Sequence, residues 1–341
     1  MAIHYFIKKN ADSSVLVADI GGSNARLGLS CSGVLSDELV FPCAEFDGVE
    51  SLIEHYFLET NLTAKNAVIA VAATVLSDDV VFTNSNWQFS IPKITRRFGF
   101  SQLQVLNDFS ALALSIPLLS SDQKRRIHTG KIDNTVEKKE TTKGLIGAGT
   151  GLGVSGLIPS VNGWFPIQGE GGHVRYGPMG EKENNLFPII SPSTSYLSAE
   201  SLLCGAGLLR LYKGLATLNG VNSIWEAPAD VVAHGINSSD ALCHETLDLY
   251  CGIFGDVAGN LALTLGASGG IYIGGGVANH MPDFFCQSNT FRNRFEDRGA
   301  HTKMVSRIPT FLISDTNAAL IGASVAYQSP HLKIGITHSG I

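Results

Sequence analysis

An amide and a carboxylate stand side by side where an apolar segment of the chain ends. The segment ends at Leu106 and predicts a buried strand, and Asn107 and Asp108 follow it directly. The residues after Asp108 have the composition of a helix. A carboxylate at the carboxyl end of a buried strand lies at the edge where open α/β sheets bind ligands. Asp108 is therefore a candidate for catalysis, although an aspartate could also simply cap the helix predicted at 110–116.

Two glycine-rich turns could bind phosphate groups. The turn Gly21-Gly22-Ser23-Asn24 follows the predicted strand at 15–20, and a second turn at 147–153 follows another apolar strand. Glycine lets backbone N–H groups approach an anion closely, and the hydroxyls of Ser23 and Thr150 can add donors. Each turn alone could be a tight β-turn without a ligand, but two such turns after buried strands favour phosphate binding.

Asp19 precedes the first of these turns. A carboxylate at this position could hold Mg²⁺, directly or through water, beside the phosphates of a nucleotide. It could also be an ordinary Asx-turn residue. The glycines of Gly151–Gly156 match a dinucleotide fingerprint only formally, because they lead into a β-like run where the fingerprint must open a helix. The sequence contains no Walker A lysine motif, which argues against a P-loop NTPase.

Glu170 and His173 lie on one glycine-rich loop. Together they offer an acceptor and a switchable donor, which would suit the vicinal hydroxyls of a sugar. Glu170 and Glu200 could instead be the paired carboxylates of a glycosidase, and a solvated surface loop is a third explanation. Zinc binding by His173 lacks partners, because the cysteines and histidines of the chain show no ligand spacing.

Three consecutive glycines follow the apolar run that ends at Ile273. Bare backbone at Gly274-Gly275-Gly276 could admit a flat purine. The same glycines could equally reflect close packing of a helix against a strand. The residue types leave both explanations open.

The composition is that of a globular protein large enough for about two domains. The chain has 341 residues, of which 44% are hydrophobic and 16% charged, and its formal net charge is −6. It has no basic block of the kind that binds nucleic acid and no run of about 18 apolar residues that could span a membrane. The six cysteines include no Cys-x-x-Cys pair and the N-terminal residues lack a signal-peptide pattern, so we expect a cytoplasmic protein with reduced thiols.

The elements that would position the candidate residues form two similar series. Predicted strands cover 15–20, 25–29, 67–73, 80–84, 103–106, 271–273 and 309–314, and predicted helices cover 48–59, 91–98, 110–116, 198–203, 207–218, 239–265 and 316–327. The strand–turn–strand pattern of 15–29 recurs at 144–157, which indicates an internal duplication. The glycines within 239–265 indicate close packing against another element rather than a membrane helix.

This order of elements predicts two α/β domains. We expect the first at 1–110, completed by the C-terminal helix at 316–328, and the second at 111–315. The polar stretch at 129–143, which includes a run of mixed charges, is interpreted as a solvated loop. Residues 329–341 are interpreted as a tail.

Taken together, five motifs resemble those of bacterial ATP-dependent glucokinases, which are hexokinase-type sugar kinases. The resemblance is to the branch without a zinc-binding cysteine cluster, and it runs in order from residue 14 to 328. The motifs are Ala18-Asp19-Ile20-Gly21-Gly22-Ser23-Asn24-Ala25-Arg26-Leu27, Leu106-Asn107-Asp108-Phe109, Gly147-Ala-Gly-Thr-Gly-Leu-Gly153, Gly169-Glu-Gly-Gly-His173 and Ser198-Ala199-Glu200.

The resemblance implies two α/β domains of ribonuclease-H-like, actin-like ATPase fold with an interdomain cleft. It also implies an enzyme that phosphorylates the 6-hydroxyl of glucose and so supplies glucose 6-phosphate to glycolysis. Such an enzyme would use ATP and Mg²⁺ but no zinc, and it would commonly be a homodimer. Asp108 would be the catalytic base, and Asn107, Glu170, His173 and Glu200 would bind the sugar. The residues implied at the nucleotide are Ala18, Asp19 (also the Mg²⁺ candidate), Ile20, Gly21, Gly22, Ser23, Asn24, Gly149, Thr150, Gly151, Gly274 and Gly275.

Three other functions compete with glucose phosphorylation. A sugar-binding regulator without kinase activity could share these motifs, but no helix-turn-helix precedes residue 15 and a retained Asp108 favours catalysis. A kinase for another hexose, such as mannose, remains open. A glycosidase would leave the two glycine turns without a role. We therefore expect glucose and ATP as partners, and neither nucleic acid nor a membrane.

Overall fold

The computed structural model divides into two compact units. Unit 1 comprises Met1–Leu118 and Thr316–Ile341, and unit 2 comprises Leu119–Asp315. The chain therefore leaves unit 1 after its first third and returns to it at its end. The described residues are 14–82, 85–127, 137–138, 140–191, 196–329 and 334–340.

Strands and helices alternate along much of the chain, which is typical of α/β proteins. In chain order the strands are β1 (Val15–Ile20), β2 (Asn24–Cys31), β3 (Val34–Pro42), β4 (Asn66–Val71), β5 (Asp79–Val81), β6 (Gln88–Ser90), β7 (Gln102–Asn107), β8 (Lys124–Arg126), β9 (Lys143–Ala148), β10 (Leu152–Ser160), β11 (Gly163–Ile167), β12 (Ile271–Gly274), β13 (Thr310–Ile313) and β14 (Ile336–Ser339). The helices are α1 (Val49–Thr60), α2 (Ile91–Phe98), α3 (Asp108–Ser115), α4 (Gly180–Ile190), α5 (Glu200–Leu203), α6 (Gly205–Leu218), α7 (Pro228–Ile236), α8 (Ala241–Leu265), α9 (Gly276–Asn279), α10 (Pro282–Cys286), α11 (Asn289–Glu296), α12 (Thr302–Val305) and α13 (Ala318–Gln328).

The main sheet of unit 1 has six strands in the order β3-β2-β1-β4-β7-β14. β1, β4 and β7 are parallel, β1-β2-β3 form an antiparallel meander, and β14 pairs antiparallel with β7. Ile20, Val71 and Asn107 stand side by side in the register, so the three parallel strands end in one row. The turn after β1 and the start of α3 after β7 therefore share the carboxyl edge of this sheet.

The sheet of unit 2 repeats this pattern in the order β11-β10-β9-β12-β13-β8. β9, β12 and β13 are parallel, β9-β10-β11 form the meander, and β8 pairs antiparallel with β13. Gly147 of β9 stands beside Gly274 of β12, so the glycine-rich segments after both strands share one carboxyl edge. The common strand order confirms the predicted internal duplication.

α1 is the amphipathic helix predicted at 48–59. Its apolar residues recur at spacings of three and four, so they form one stripe along the helix. That stripe, which comprises Val49, Leu52, Ile53 and Tyr56, is buried in the core of unit 1. Removing these side chains from water supplies the main stabilisation of a helix that covers a sheet.

α13 packs closely against α3, the helix that begins at Asp108. At Gly322 of α13, an added Cβ would lie 1.6 Å from the carbonyl oxygen of Ala111 in α3. Only glycine permits this approach of the two backbones. The C-terminal helix therefore supports the helix on which the candidate base is carried.

α8 is the long helix predicted at 239–265, and its glycines lie where neighbouring backbone comes close. An added Cβ at Gly255 would lie 2.1 Å from the carbonyl oxygen of Phe291 in α11, and one at Gly259 would lie 2.6 Å from that of Phe295. Close packing, as predicted, accounts for both glycines. Among the described residues, no helix has the length and apolarity needed to cross a membrane.

Several boundaries differ from the sequence predictions. The interpretation of 329–341 as a tail is wrong, because Ile336–Ser339 form β14 and complete the sheet of unit 1. Unit 1 extends to Leu118, eight residues beyond the predicted boundary of 110, because all of α3 belongs to it. Parts of the strand predicted at 80–84 and of the loop predicted at 129–143 lie outside the described residues.

Candidate active site

The first turn of α3 contains the candidate base. α3 begins at Asp108, and the side-chain Oδ1 of Asn107 accepts a hydrogen bond from the backbone N–H of Ser110 at 3.1 Å. Asn107 is therefore the helix cap. The alternative explanation of Asp108 as the cap is wrong, because the capping position is already filled.

Further hydrogen bonds involve the Asp108 carboxylate and the side-chain amide of Asn107. The backbone N–H of Phe109 donates to Asp108 Oδ1 at 2.9 Å, and Asn107 Nδ2 donates to the same oxygen at 3.0 Å. Asn107 Nδ2 also donates to the carbonyl oxygen of Ala73 at 3.3 Å, which links the end of β7 to the segment after β4. The amide and the carboxylate thus form one hydrogen-bonded group at the carboxyl edge of the sheet.

Asp19 lies near the end of β1 and pairs in register with Arg26 of β2. The Arg26 Nη1 to Asp19 Oδ2 distance is 3.8 Å, and the Asp19 side chain is only 16% exposed. Burial raises the pKa of Asp19 to about 6, and the charge of Arg26 opposes that rise. A largely buried carboxylate with one distant cation is a suitable partner for a hydrated Mg²⁺ held mainly by phosphates.

The turn after β1 offers backbone donors. Gly21 N–H donates to the carbonyl oxygen of Asn24 at 3.0 Å, and the carbonyl oxygen of Ser23 accepts from Cys43 N–H at 2.9 Å. Within the part of the chain that the structure describes, the N–H groups of Gly22 and Ser23 have no hydrogen-bond partner. Such donors fit an anion such as a phosphate.

The turn after β9 is built in a similar way. Gly149 N–H donates to the carbonyl oxygen of Gly151 at 2.8 Å, and the carbonyl oxygen of Gly149 accepts from Gly205 N–H at 3.0 Å. The N–H groups of Thr150 and Gly151 have no partner among the described residues. An added Cβ at Gly149 would meet nothing within 4 Å, so the open space beside this turn can accept a ligand.

The structure brings His173 and Glu200 together. Glu200 is the first residue of α5, and its Oε1 lies 3.9 Å from His173 Nδ1. Two backbone hydrogen bonds join the segments that carry these residues. Ala199 N–H donates to the carbonyl oxygen of Val174 at 2.9 Å, and Tyr176 N–H donates to that of Leu197 at 2.8 Å. The two side chains are therefore close enough to contact the same small polar ligand.

Leu152 connects these sugar candidates to the second glycine turn. Its N–H donates to Glu200 Oε2 at 2.9 Å. Its carbonyl oxygen lies against Gly172, where an added Cβ would be 1.9 Å away. Glu170 precedes the 3₁₀ turn Gly171–His173, and its backbone carbonyl oxygen accepts a hydrogen bond from the N–H of His173 at 3.0 Å. The loop and the turn are therefore one packed assembly within unit 2.

The remaining predicted residues divide between the two units. Asn107, Asp108 and the turn at 18–24 belong to unit 1, and the other predicted residues belong to unit 2. Gly275 has φ +84°, and an added Cβ there would lie 2.3 Å from the carbonyl oxygen of Ala148. Close packing therefore accounts for this glycine, and nucleotide binding at Gly274 and Gly275 stays a prediction.

Three groups that hydrogen-bond to the candidate residues were not predicted from the sequence. These are the carbonyl of Ala73, the N–H of Leu152, and Tyr196, whose hydroxyl donates to the carbonyl oxygen of His173. Arg175 lies over the Tyr196 ring at 5.2 Å, which holds that ring beside the loop. No residue pattern signals a backbone partner, because every residue type carries the same carbonyl and nearly all carry the N–H.

The described residues include no group of three or more His, Cys, Asp or Glu side chains that could hold a metal ion. A protein-only metal cage is therefore not part of the described structure. Asp19 could contribute only one ligand, with phosphates and water supplying the others.

Comparison with known proteins places the chain in a family. The glucokinase family model matches residues 16–330. The glucokinase of Chromobacterium violaceum is 40% identical over 93% of this chain and 90% of its own length. The bifunctional protein glk of Paraburkholderia xenovorans is 37% identical over 93% of this chain, which spans 49% of that longer protein.

The solved structures agree. The crystal structure of glucokinase from an Antarctic psychrotroph has a TM-score of 0.79 and 30% identity, covering 93% of this chain and 99% of that one. The predicted two-domain, actin-like α/β fold is thereby confirmed. With a family model that covers nearly the whole chain and a relative of 40% identity, this chain belongs to the glucokinase family.

Proposed function

We propose that this protein transfers the γ-phosphoryl group of ATP to the 6-hydroxyl of glucose. The products are glucose 6-phosphate and ADP. Family membership and the names of the curated relatives support this activity. The interdomain cleft, the cytoplasmic location and the homodimer implied by the resemblance stay predictions, and sedimentation of the purified protein would test the last of them.

Asp108 is the base in this proposal. Its carboxylate accepts the proton of the 6-hydroxyl while that oxygen bonds to the γ-phosphorus, and the bond from the γ-phosphorus to the β–γ bridging oxygen breaks to release ADP. The observation that carries this assignment is the cap of α3. Because Asn107 fills the capping role, Asp108 is not needed to begin the helix.

Glu170, His173 and Glu200 bind the remaining hydroxyls of the sugar. Carboxylates accept hydrogen bonds from hydroxyls, and an imidazole can donate or accept. The 3.9 Å approach of His173 and Glu200 supports a shared ligand for these two side chains. Their role is to position the sugar. In phosphoryl transfer, most of the catalysis comes from the positioning of the reactants and from electrostatic stabilisation of the transition state.

The two glycine turns bind the phosphates. The unpartnered N–H groups of Gly22, Ser23, Thr150 and Gly151 would hold phosphate oxygens and stabilise the charge that develops on the transferring group. Mg²⁺, when bound with Asp19 as one ligand, neutralises charge on the β- and γ-phosphates.

The test is an ADP-release assay coupled to product formation, run with glucose, mannose and other hexoses and with several nucleotide donors. We expect the highest kcat/KM with glucose and ATP, and none without Mg²⁺. A preference for mannose would reassign the substrate. Glucose binding without turnover under any donor would instead favour the sugar-binding regulator.

A further inference from the structure

A buried ion pair in unit 2 lies outside the residues assigned to the proposed reaction. Arg294 of α11 donates from Nη1 to Oε1 of Glu183, in the first turn of α4, at 2.5 Å. The two side chains are only 14% and 2% exposed. Such a pair adds little net stability, since the cost of desolvating two charges offsets much of their attraction. It does provide rigidly oriented hydrogen-bond donors and acceptors for its neighbours.

The pair contacts the chain that follows the sugar loop, Glu170–His173. Arg294 Nη2 donates to the hydroxyl oxygen of Tyr176 at 2.5 Å, and the N–H of Met179 donates to Glu183 Oε2 at 2.8 Å. Tyr176 is 6% exposed, and burial raises the pKa of its phenol against the opposing charge of Arg294. The hydroxyl therefore stays neutral, and its oxygen accepts the hydrogen bond from the guanidinium.

Tyr176 connects the ion pair to two candidate sugar ligands. It lies three residues after His173, and the segment 174–176 pairs antiparallel with 197–199 through the bridge of Arg175 with Ser198. The second of these segments leads directly to Glu200. A displacement of Tyr176 would therefore move both segments and change the 3.9 Å separation of His173 and Glu200.

Helix α8 leaves room for the Arg294 side chain. At Gly252, an added Cβ would lie 2.9 Å from Cδ of Arg294 and 2.9 Å from Cγ2 of Thr290. Asp256, one turn further along α8, adds a carboxylate beside the Tyr176 hydroxyl. The guanidinium is thus packed in a polar site to which α4, α8 and α11 all contribute, and its position is fixed from several sides.

We propose that Arg294 is a positioning residue for the sugar, which holds Tyr176 and, through it, the relative positions of His173 and Glu200. This inference rests on the proposed function, because it takes these two residues as sugar ligands. Glu183 orients the guanidinium, and the guanidinium orients the phenol. Arg294 contributes to glucose affinity rather than to phosphate binding or to proton transfer.

Lysine cannot replace arginine in this role. An ammonium is a compact point charge that can still pair with Glu183, but it lacks the planar fork whose two Nη atoms reach the carboxylate and the phenol together. Arg294→Lys therefore keeps the charge of the pair and removes the contact with Tyr176.

The first experiment compares Arg294→Lys with Arg292→Lys. Arg292 lies on the same helix with a side chain 6% exposed, but it donates to the carbonyl oxygens of Ile308 and Ser306 instead. We expect Arg294→Lys to raise the glucose Kd roughly tenfold, the size of one lost hydrogen bond, and to change the Kd of a non-hydrolysable ATP analogue by less than about twofold. Arg292→Lys should lower the thermal midpoint and change neither Kd.

Calorimetry with glucose and with the ATP analogue, each alone, measures both constants. An unchanged glucose Kd in Arg294→Lys would overturn the proposal. A loss of glucose affinity that is matched in Arg292→Lys, or matched by the loss of ATP affinity, would overturn it as well, because it would indicate general destabilisation. Failure of the wild-type protein to bind glucose would instead remove the proposed function itself.

The second experiment uses Tyr176→Phe, which deletes the hydroxyl and keeps the ring and the ion pair. It should raise the glucose Kd with little change in the thermal midpoint, so the test holds even if Arg294→Lys does not fold. A wild-type glucose Kd in Tyr176→Phe would contradict the proposal. Because both substitutions remove the same hydrogen bond, the double variant should bind glucose as weakly as the weaker single variant, within about twofold. Multiplied losses would show that Arg294 does not act through Tyr176, and the proposal would fail.

Discussion

At the scale of single residues, the candidate site separates two tasks that adjacent side chains could both perform. Asn107 caps α3, and Asp108 occupies the first turn, where a carboxylate interacts favourably with the helix dipole. A base needs a fixed orientation toward the attacking hydroxyl, and a cap needs only an acceptor at the right N–H. Because Asn107 provides the cap, the carboxylate of Asp108 is not needed to begin the helix.

The first prediction concerns the charge of Asp108. Asp108→Asn keeps the shape and leaves the Asn107 cap in place, but it removes the proton acceptor. We expect kcat to fall by roughly 10²–10⁴-fold, the usual contribution of a general base. Glucose affinity and the thermal midpoint should change little, which calorimetry and thermal unfolding would check. Normal turnover of this variant would exclude Asp108 as the base.

The second prediction separates Glu200 from His173. Glu200→Ala removes a hydroxyl acceptor and also leaves the N–H of Leu152, a residue 4% exposed, without its partner. A lost bond to a charged group costs about 1.5–3 kcal/mol, so glucose affinity should fall roughly 10- to 100-fold. ATP affinity should fall as well, because Leu152 lies in the second glycine turn, directly after Gly151.

His173→Ala is the matched comparison for Glu200→Ala. It removes the proposed sugar contact but breaks no hydrogen bond to Leu152, so it should weaken glucose binding and leave ATP binding nearly unchanged. Titrations of glucose and of a non-hydrolysable ATP analogue, each alone, measure both effects. Equal losses of ATP affinity in the two variants would show that Glu200 does not support the turn.

The residue types of the site were predictable, but their local roles were not. Asn and Asp are equally good caps, so the sequence Asn107-Asp108 cannot say which one begins the helix. The strand–turn–strand pattern predicts the pairing of β1 with β2, but the burial of Asp19 also depends on the pairing of β1 with β4, which lies about 50 residues away in the sequence. The missing information is the set of neighbours that tertiary structure supplies.

At the scale of elements, the glycines of the second turn differ in whether the surrounding structure requires them. An added Cβ at Gly147 would lie 2.7 Å from the backbone of Gly274, so this glycine is needed for close pairing of β9 with β12. Gly149, two residues further on, faces open space. A glycine that the protein itself does not require is the better candidate for contact with a ligand.

The third prediction uses that difference. Gly149→Val should fold normally and lose ATP affinity roughly tenfold or more, because its side chain would block hydrogen bonds to a charged phosphate. Gly177→Val is the control, since an added Cβ at Gly177 also meets nothing within 4 Å but lies outside the turn. Isothermal titration with an ATP analogue and thermal unfolding would compare the two. An unchanged ATP affinity in Gly149→Val would mean that the turn is only structural.

The fourth prediction concerns the packing of α13 on α3. Gly322→Ala places a Cβ 1.6 Å from the carbonyl oxygen of Ala111, so the two helices must move apart. Overpacking of this kind costs about 1–3 kcal/mol of stability. Because α3 begins at Asp108, the displacement should also lower kcat at temperatures where the variant is fully folded.

Gly255→Ala is the matched control for Gly322→Ala. Its added Cβ would lie 2.1 Å from the carbonyl oxygen of Phe291, within the packing of α8 and α11 rather than at α3. We expect a comparable loss of thermal midpoint with turnover largely kept. A similar drop of kcat in both variants would attribute the effect to general destabilisation.

Element prediction from the sequence succeeded where the pattern was long and periodic. α8 was predicted at 239–265 and spans Ala241–Leu265, because many apolar positions repeat along it. β3 was not predicted, since Asp37 has φ +55° and the register with β2 shifts between Leu27 and Leu29, which interrupts the alternation. Short or irregular strands depend on a partner for their stability, and that partner is distant in sequence.

At the scale of the whole molecule, two sheets of the same strand order complete their outer edges differently. In unit 2 the sixth strand, β8, precedes the duplicated core, whereas in unit 1 the sixth strand, β14, comes from the end of the chain. Unit 1 is therefore assembled from both ends of the sequence, and its folding requires contacts between residues more than 200 positions apart, such as Ile336 with Val105. Contacts of this range slow folding and cannot be read from local patterns.

The last prediction tests whether β14 is structural, as its pairing suggests, or a dispensable tail. Besides the strand pairing, Gln104 Nε2 donates to the carbonyl oxygen of Ile334 at 2.8 Å, and Gly335 has φ +68° with an added Cβ 1.9 Å from Val105 O. Truncation after Ser329 would remove all of these contacts and leave β7 as an exposed edge strand. Because β7 leads directly to Asn107 and Asp108, we expect a lower thermal midpoint, more aggregation and a lower kcat. Gly335→Val should reproduce these effects through its clash, while Thr337→Ala, at an exposed position of β14, should not. Wild-type stability and turnover of the truncated protein would return these residues to the tail that the sequence suggested.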